Sequence, residues 1–145
     1  MSAVSEIMSG EVLTIDLDKD PSALDVAKAM SKSRAGAVVA LKDDKPVGMI
    51  TERDLLKKVS ARNIKPEEAS AKSIMSSPLV TVRAFDSVDT AAEVMSKRGI
   101  KRLPVVEDDG SLAGMLSVSD FAKKLAKILS DDYNRYRSLK SALDL

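Results

Sequence analysis

The sequence contains no cysteine, no histidine and no tryptophan. Without thiols there are no disulfides, no thiol redox chemistry and no thiolate metal ligands. Without imidazole there is neither Ser-His nor Cys-His catalysis, and zinc and iron–sulfur centres lose their usual ligands. Only a hard cation held by oxygens would suit what is left, and no metal or catalytic residue is expected. Aromatic residues are 3% of the chain against 44% hydrophobic overall, so the core is expected to be aliphatic, built of Val, Leu, Ile, Ala and the seven Met. No apolar run approaches the ~20 residues that cross a bilayer, and no membrane partner is expected. Met1-Ser2-Ala3-Val4-Ser5-Glu6 has neither the basic nor the apolar region of a secretory signal, which predicts a cytoplasmic location. Lys and Arg number 23 against 22 Asp and Glu, a net charge of +1, so no nucleic-acid surface is indicated.

What is present is an internal repeat. Ile7-Met8-Ser9 returns as Ile74-Met75-Ser76, Met30-Ser31-Lys32 as Met95-Ser96-Lys97, and Gly48-Met49 as Gly114-Met115. Asp54 matches Asp120, and Lys57-Lys58 matches Lys123-Lys124. The series is ordered, and it divides the chain into a repeat at 5–62, a linker at 63–71, a repeat at 72–128 and a helical tail at 129–145.

Each copy reads β-α-β-β-α. Extended segments are expected at Glu11–Ile15 and Pro78–Val82. A first helix is expected behind Asp20-Pro21, as N-cap and first-turn proline, with Leu24, Ala27 and Met30 on its buried face. Its counterpart is capped by Asp86 or Ser87, buries Val88, Ala91, Ala92 and Met95, and stops at Gly99. Hairpins follow, turning at Asp43–Pro46 and Asp108–Gly110. Second helices start near Glu52 and Ser119. In the tail, Ser130-Asp131-Asp132 is expected to interrupt or recap the helix, and Tyr133, Tyr136, Leu139 and Leu143 form a stripe for packing on the body or on a second subunit. A half of this size cannot bury both faces of its sheet, so the two halves are expected to pack together.

The chemistry lies in Gly48-Met49-Ile50-Thr51-Glu52-Arg53-Asp54 and Gly114-Met115-Leu116-Ser117-Val118-Ser119-Asp120. Each places a hydroxyl where a strand yields to a helix, so that it and nearby backbone N–H groups can face a phosphate. One turn later stands a carboxylate, which can accept hydrogen bonds from the two cis hydroxyls of a ribose. Read without a ligand, Thr51 and Ser117 are N-caps and each Asp supports its helix dipole. The doubling of the motif favours the nucleotide reading.

These motifs, the paired Ile-Met-Ser openings and the strand Ile100–Glu107 resemble a tandem pair of CBS domains, a Bateman module, over about 5–128. The resemblance implies an α/β (α+β) fold of two β-α-β-β-α repeats packed sheet to sheet about a pseudo-twofold axis, with two clefts for adenosine derivatives. It implies a regulatory, non-enzymatic module that senses AMP, ADP or ATP, forms a homodimer and acts on a separate effector protein. Ribose binding carries over to Asp54 and Asp120, and phosphate binding to Thr51, Ser117 and Ser119, with Lys101 and Arg102. The adenine pocket carries over to Ser9, Leu13, Thr14, Arg34, Ala35 and Gly36 beside Asp120, and to Ser76, Val80, Thr81, Ile100 and Lys101 beside Asp54.

The copies diverge at the hairpin entry, where Arg102 aligns with Gly36 in Arg34-Ala35-Gly36-Ala37. Small residues there admit a flat ring but supply no charge, although Arg34 or Arg53 compensates in part. The Asp120 cleft is therefore expected to hold phosphates more tightly. Two alternatives remain at this point: a ligand without phosphate, S-adenosylmethionine or methylthioadenosine, and an interaction module with no ligand. Nucleotide hydrolysis has no residues to support it.

Overall fold

The computed structural model describes residues 2–143; Met1, and Asp144 and Leu145 at the end of the expected tail, lie outside the described residues. The first repeat runs β1 (Thr14–Asp16), α1 (Ala23–Ser33), β2 (Ala37–Lys42), β3 (Lys45–Thr51) and α2 (Glu52–Leu55), whose chain continues as a π-helical turn over Leu56–Ser60. A short helix, α3 (Ala71–Ile74), lies between the repeats. The second repeat runs β4 (Val82–Arg83), α4 (Val88–Arg98), β5 (Arg102–Val106), β6 (Leu112–Ser117) and α5 (Val118–Ala142). Each repeat holds a three-stranded sheet, β1-β2-β3 or β4-β5-β6, with the first pair parallel and the second antiparallel. This is the expected β-α-β-β-α order, twice.

Burial along the central strands shows why two halves are needed. Successive side chains of a strand point to opposite faces. Val38 joins Ile50 and the α1 residues Ala23, Val26 and Met30 in one core, while Val39, facing the other way, is equally inaccessible. In β5, Leu103 and Val105 pack with Ala91 and Met95 of α4, and Pro104 between them is also fully buried. Helices cover one face of each sheet, so the other half closes the second face. At the hairpin tips Lys45 Nζ donates to the Asp109 carbonyl at 2.9 Å. Asp43 and Asp44 make the first hairpin turn with φ of 50° and 61°, a left-handed pair that Asp tolerates.

The helix starts differ from expectation. α1 is capped by Ser22, whose Oγ accepts from Asp25 N at 3.1 Å while Asp25 Oδ2 accepts from Ser22 N at 2.9 Å. Asp20 instead closes the short turn Leu17–Lys19 at φ 48°. The shift occurs because the Pro21 carbonyl and Ala23 N are taken by Ala71 N and the Ala69 carbonyl of the linker, each at 2.8 Å. The buried face is consequently Ala23, Val26 and Met30, with Leu24 and Ala27 only half-buried. In α4, Ser87 is the cap and Gly99, at φ 63°, ends the helix as expected; Ala91 and Met95 are buried, whereas Ala92 is exposed and Val88 half-buried. The opening strands are shorter and later than expected, because Glu11–Leu13 and Pro78–Thr81 run ahead of the sheet. α5 passes through Ser130-Asp131-Asp132 unbroken: these exposed polar side chains are solvated, and their modest propensity cost of ~0.5 kcal/mol each does not end a helix.

The opening segments are exchanged between halves. Val4, fully buried, sits in the core of the second repeat, and Ile74 sits in the core of the first. Ser9 and Met115 exchange two backbone hydrogen bonds of 2.9 Å, and Ser76 and Met49 do the same at 2.8 and 3.2 Å. Gly114 and Gly48 make this approach possible: a Cβ at Gly114 would stand 2.5 Å from the Ser9 carbonyl oxygen, and one at Gly48 would stand 3.0 Å from that of Ser76. The two Ile-Met-Ser motifs are thus the straps that tie each half to the other.

Candidate functional site

The doubled motif ties each carboxylate back to the hydroxyl residue that opens its helix. Asp54 Oδ2 accepts from Thr51 N at 2.9 Å and Thr51 Oγ1 at 3.3 Å, and Thr51 Oγ1 accepts from Asp54 N at 3.4 Å. In the second repeat, Asp120 Oδ2 accepts from Ser117 N at 2.7 Å and Ser117 Oγ at 3.0 Å, and Ser117 Oγ meets Ser119 Oγ at 2.8 Å. The capping reading holds in full for Thr51, whereas at Ser117 the Asp120 carboxylate half is made and the Ser117 hydroxyl turns to Ser119 and Asp120 instead of a helix N–H.

The copies differ in the remaining carboxylate oxygen. Asp54 is buried, and its Oδ1 pairs with Lys58 Nζ at 3.0 Å. The same ammonium donates to the Ile74 carbonyl at 2.9 Å, tying Asp54 to the exchanged strap. Asp120 is half-buried, and no cation pairs with it among the described residues.

A cleft of about 440 Å³ opens beside Asp54. Thr51 and Asp54 form part of its wall, and Ser76, Val80, Ile100 and Lys101, expected there from the sequence, line it too. Thr81 does not; it lies with Val82 and Arg83 along a separate shallow groove. Sequence reasoning missed Met49, Glu52, Pro78, Leu79 and Gly99 as lining residues. Pro78 and Leu79 directly follow the Ser76 strap, which was the available signal.

Arg102 also lines the Asp54 cleft, which overturns the expected charge distribution. Strand register pairs Ala37 with Thr51 and Arg102 with Ser117, so the counterpart of Arg102 is Ala37, and that of Lys101 is Gly36. The carbonyls say the same, Glu52 N donating to Gly36 O and Val118 N to Lys101 O, each at 3.1 Å. Because the halves face each other, the residues entering the second hairpin meet the first repeat's carboxylate. Arg53, Lys101 and Arg102 thus stand against Glu52 and Asp54 in one cleft.

The residues expected beside Asp120 are placed by local contacts. Ser9 bridges Met115 of β6. Leu13 packs on the first core, and Thr14 is an exposed member of β1 paired with Val39. Arg34 is an exposed helix end at φ 53°, filling the place of Gly99. Ala35 N donates to the Met30 carbonyl at 3.0 Å, and Gly36 lies under the Arg102 guanidinium, near Glu52. Among the described residues no three carboxylates gather to hold a metal ion, and no helix is long and apolar enough to cross a membrane.

Two facing β-α-β-β-α repeats with exchanged straps and a capped carboxylate in an inter-repeat cleft define a paired-repeat α/β fold. The CBS domain family model matches residues 4–61 and 71–127, and the chain belongs to the CBS domain family as a CBS pair. An uncharacterized protein of Methanopyrus kandleri, MK0525, is 37% identical over 119 residues, which is 81% of this chain and 60% of that protein. The chain thus spans about 60% of that relative's length. Among solved structures, a CBS domain protein of Pyrobaculum aerophilum complexed with AMP has TM-score 0.74 and 29% identity, covering 82% of this chain and 89% of that one. The CBS domain pair of protein MJ0100, in complex with 5′-methylthioadenosine and S-adenosyl-L-methionine, has TM-score 0.76 and 26% identity, covering 88% and 98%.

Proposed function

We propose that this CBS pair is a regulatory module that binds an adenine nucleotide, AMP, ADP or ATP, with its phosphates in the Asp54 cleft. The observation that carries this reading is the joint lining of that cleft by the Asp54 carboxylate and the Lys101 and Arg102 cations. Asp54 receives the ribose hydroxyls once Lys58 yields its oxygen, and the two cations and Thr51 receive the phosphate. Val80, Ile100 and Leu79 give the base an apolar slot. A volume of about 440 Å³ falls in the range of ligand pockets, roughly 300–1,000 Å³. The chain binds rather than catalyses: its motif carboxylates are held in helix caps. Occupancy alters the packing of the halves, which a separate effector protein reads. The Asp120 site, without Lys101 and Arg102, takes the weaker or uncharged ligand.

Titration calorimetry with AMP, adenosine and methylthioadenosine tests this. AMP is expected to bind more tightly than adenosine, and Arg102→Ala to weaken AMP about tenfold, or ~1.4 kcal/mol, while leaving adenosine unchanged. No heat from any adenosyl compound, or an equal loss for AMP and adenosine, overturns it. A second reading, a methylthioadenosine or S-adenosylmethionine site, is favoured by the apolar wall of Pro78, Leu79 and Val80, which suits a thioether; preference for methylthioadenosine over AMP would select it.

A further inference from the structure

The lysine pairs Lys57-Lys58 and Lys123-Lys124 recur with the repeat, yet the two copies use them differently. Lys58 and Lys124 each stand four residues after the motif carboxylate. Each repeat also receives a strap carrying the same isoleucine, Ile74 in the first core and Ile7 against the second. In the first repeat all three groups meet: Lys58 Nζ lies 3.0 Å from Asp54 Oδ1 and donates to the Ile74 carbonyl at 2.9 Å. In the second, Lys124 contacts neither Asp120 nor the Ile7 carbonyl among the described residues.

The backbone differs in step with this. After α2 the helix widens to a π turn, in which Ala61 N donates to the Leu56 carbonyl, five residues back, at 2.8 Å. α5 stays α-helical through the equivalent stretch. The widened turn carries Val59 into the first core at 2% exposure, whereas Leu125, in the same place of the second repeat, is 57% exposed. Turns of this kind occur frequently at functional sites.

Lys58 holds two groups at once. Thr51 N and Oγ1 already occupy Asp54 Oδ2, and Lys58 takes Oδ1, the oxygen that a second ribose hydroxyl needs. It also satisfies the last carbonyl of α3, one of the acceptors that a helix end leaves open. From Ile74 the chain runs through Ser76, Pro78, Leu79 and Val80, all lining the Asp54 cleft, and on into β4 of the second repeat. Lys58 does not line the cleft, so its departure leaves the wall intact. An ammonium that loses its carboxylate is better solvated by water than by a single carbonyl, and the Lys58 side chain, 34% exposed, has a way out.

We infer that Lys58 is a built-in competitor for the ribose: a ligand that takes Asp54 Oδ1 releases the ammonium, and with it the hold on Ile74. Occupancy of the Asp54 cleft is thereby passed to the segment leading into the second repeat. This rests on the nucleotide reading of that cleft and adds the residue that couples it to the strap.

Adenosine is the probe, because it carries both ribose hydroxyls and no phosphate for a lost cation to affect. In titration calorimetry Lys58→Met is expected to bind adenosine about three- to fivefold more tightly than the parent, the worth of a partly exposed ion pair. Lys58→Gln, a second uncharged variant, is expected to gain likewise, and Lys57→Met, which loses an exposed charge next door, to stay unchanged. Hydrogen exchange supplies the second measurement. Ligands ordinarily slow exchange, but the Met75 amide, bonded to the Ala71 carbonyl at 3.1 Å, is expected to exchange faster when adenosine saturates the parent. In Lys58→Met it is expected to exchange fast with or without adenosine. Adenosine binding by the parent without a gain in either Lys58 variant, an equal gain in Lys57→Met, or unchanged or slower exchange at Met75 overturns this inference alone. No heat from adenosine or AMP with the parent and the variants overturns the nucleotide reading, and the inference with it.

Discussion

The Arg102 guanidinium of the second repeat lies directly over Gly36 of the first: a Cβ at Gly36 would stand 2.5 Å from Arg102 Nη2 and 3.5 Å from Glu52 Oε1. The missing side chain makes room for a cation rather than for a flat ring, and it places that cation in the cleft of Asp54. Gly36→Ala meets the far end of a flexible side chain, so stability is expected to change little, with the thermal midpoint within about 3 °C. AMP affinity is expected to fall about 5- to 10-fold as the guanidinium is displaced, with adenosine unaffected. Calorimetry on the two ligands checks this, and equal losses would disconnect Gly36 from the phosphate.

The straps predict an asymmetry between two equivalent glycines. Gly114→Ala drives a methyl against the Ser9 carbonyl oxygen, a backbone atom that cannot swing away. At Gly48 the nearest atom is Met75 Sδ, at the end of a flexible chain. Gly114→Ala is expected to cost about 3 kcal/mol and Gly48→Ala about 1 kcal/mol. Urea unfolding of both variants measures the difference; equal costs would mean that the Ser9 strap is as yielding as Met75.

Val4 tests the exchange itself. It belongs to the first repeat in sequence and to the second repeat's core in space. Val4→Ala is expected to cost about 2 kcal/mol and to raise hydrogen exchange first around Leu103 and Leu116. Protection lost first around Val38 and Ile50 would place the strap on its own repeat.

Arg34 ends α1 in a left-handed conformation, φ 53°, that its counterpart Gly99 adopts freely. Arg34→Gly is expected to stabilise the protein by about 0.5–1 kcal/mol, visible as a higher denaturation midpoint. A lower midpoint would reveal an interaction of the Arg34 side chain that outweighs the backbone cost.

Acid sensitivity follows from the α1 cap. Hydrogen bonds from the Ser22 backbone and side chain hold the Asp25 carboxyl below its ordinary 3.8. A group with a depressed folded value stabilises above the unfolded value, and this contribution fades as pH falls through it. The destabilisation of Asp25→Asn relative to the parent is therefore expected to be largest at pH 5 to 7 and to shrink below about pH 4. Denaturation curves at pH 6 and pH 3 check the sign, and a constant difference would locate the effect elsewhere.

The repeat was legible because its marks are local: Thr51 with Asp54, Ser117 with Asp120, the Asp-rich turns and Gly99 all act within one turn of the chain. The start of α1 was misread at Asp20-Pro21 because the linker, 50 residues downstream in sequence, takes up the backbone groups of Pro21 and Ala23. Leu13, half-buried against the first core, shows why burial alone does not sort such residues: Val80 and Ile100 pack on the second core in the same way and also line the Asp54 cleft. The counterpart of Arg102 was misplaced by one position because the offset of the Gly-Met and Asp motifs was carried back across the hairpin: the second hairpin turn holds one residue more, so the offset changes between the two strands, and the ladder register shows it.

The sequence by itself determined the duplicated architecture, the hydroxyl–carboxylate pairs that open the second helices and the apolar stripe of the tail, all set by spacings between neighbours along the chain. The tertiary structure decided which repeat each strap completes, which carboxylate the Lys101–Arg102 pair faces, and which stripe stays uncovered. Those outcomes depend on how two similarly folded halves approach each other. Interactions within a repeat leave that approach undetermined, and it is settled where Gly48, Gly114 and Gly36 let the opposite half come close.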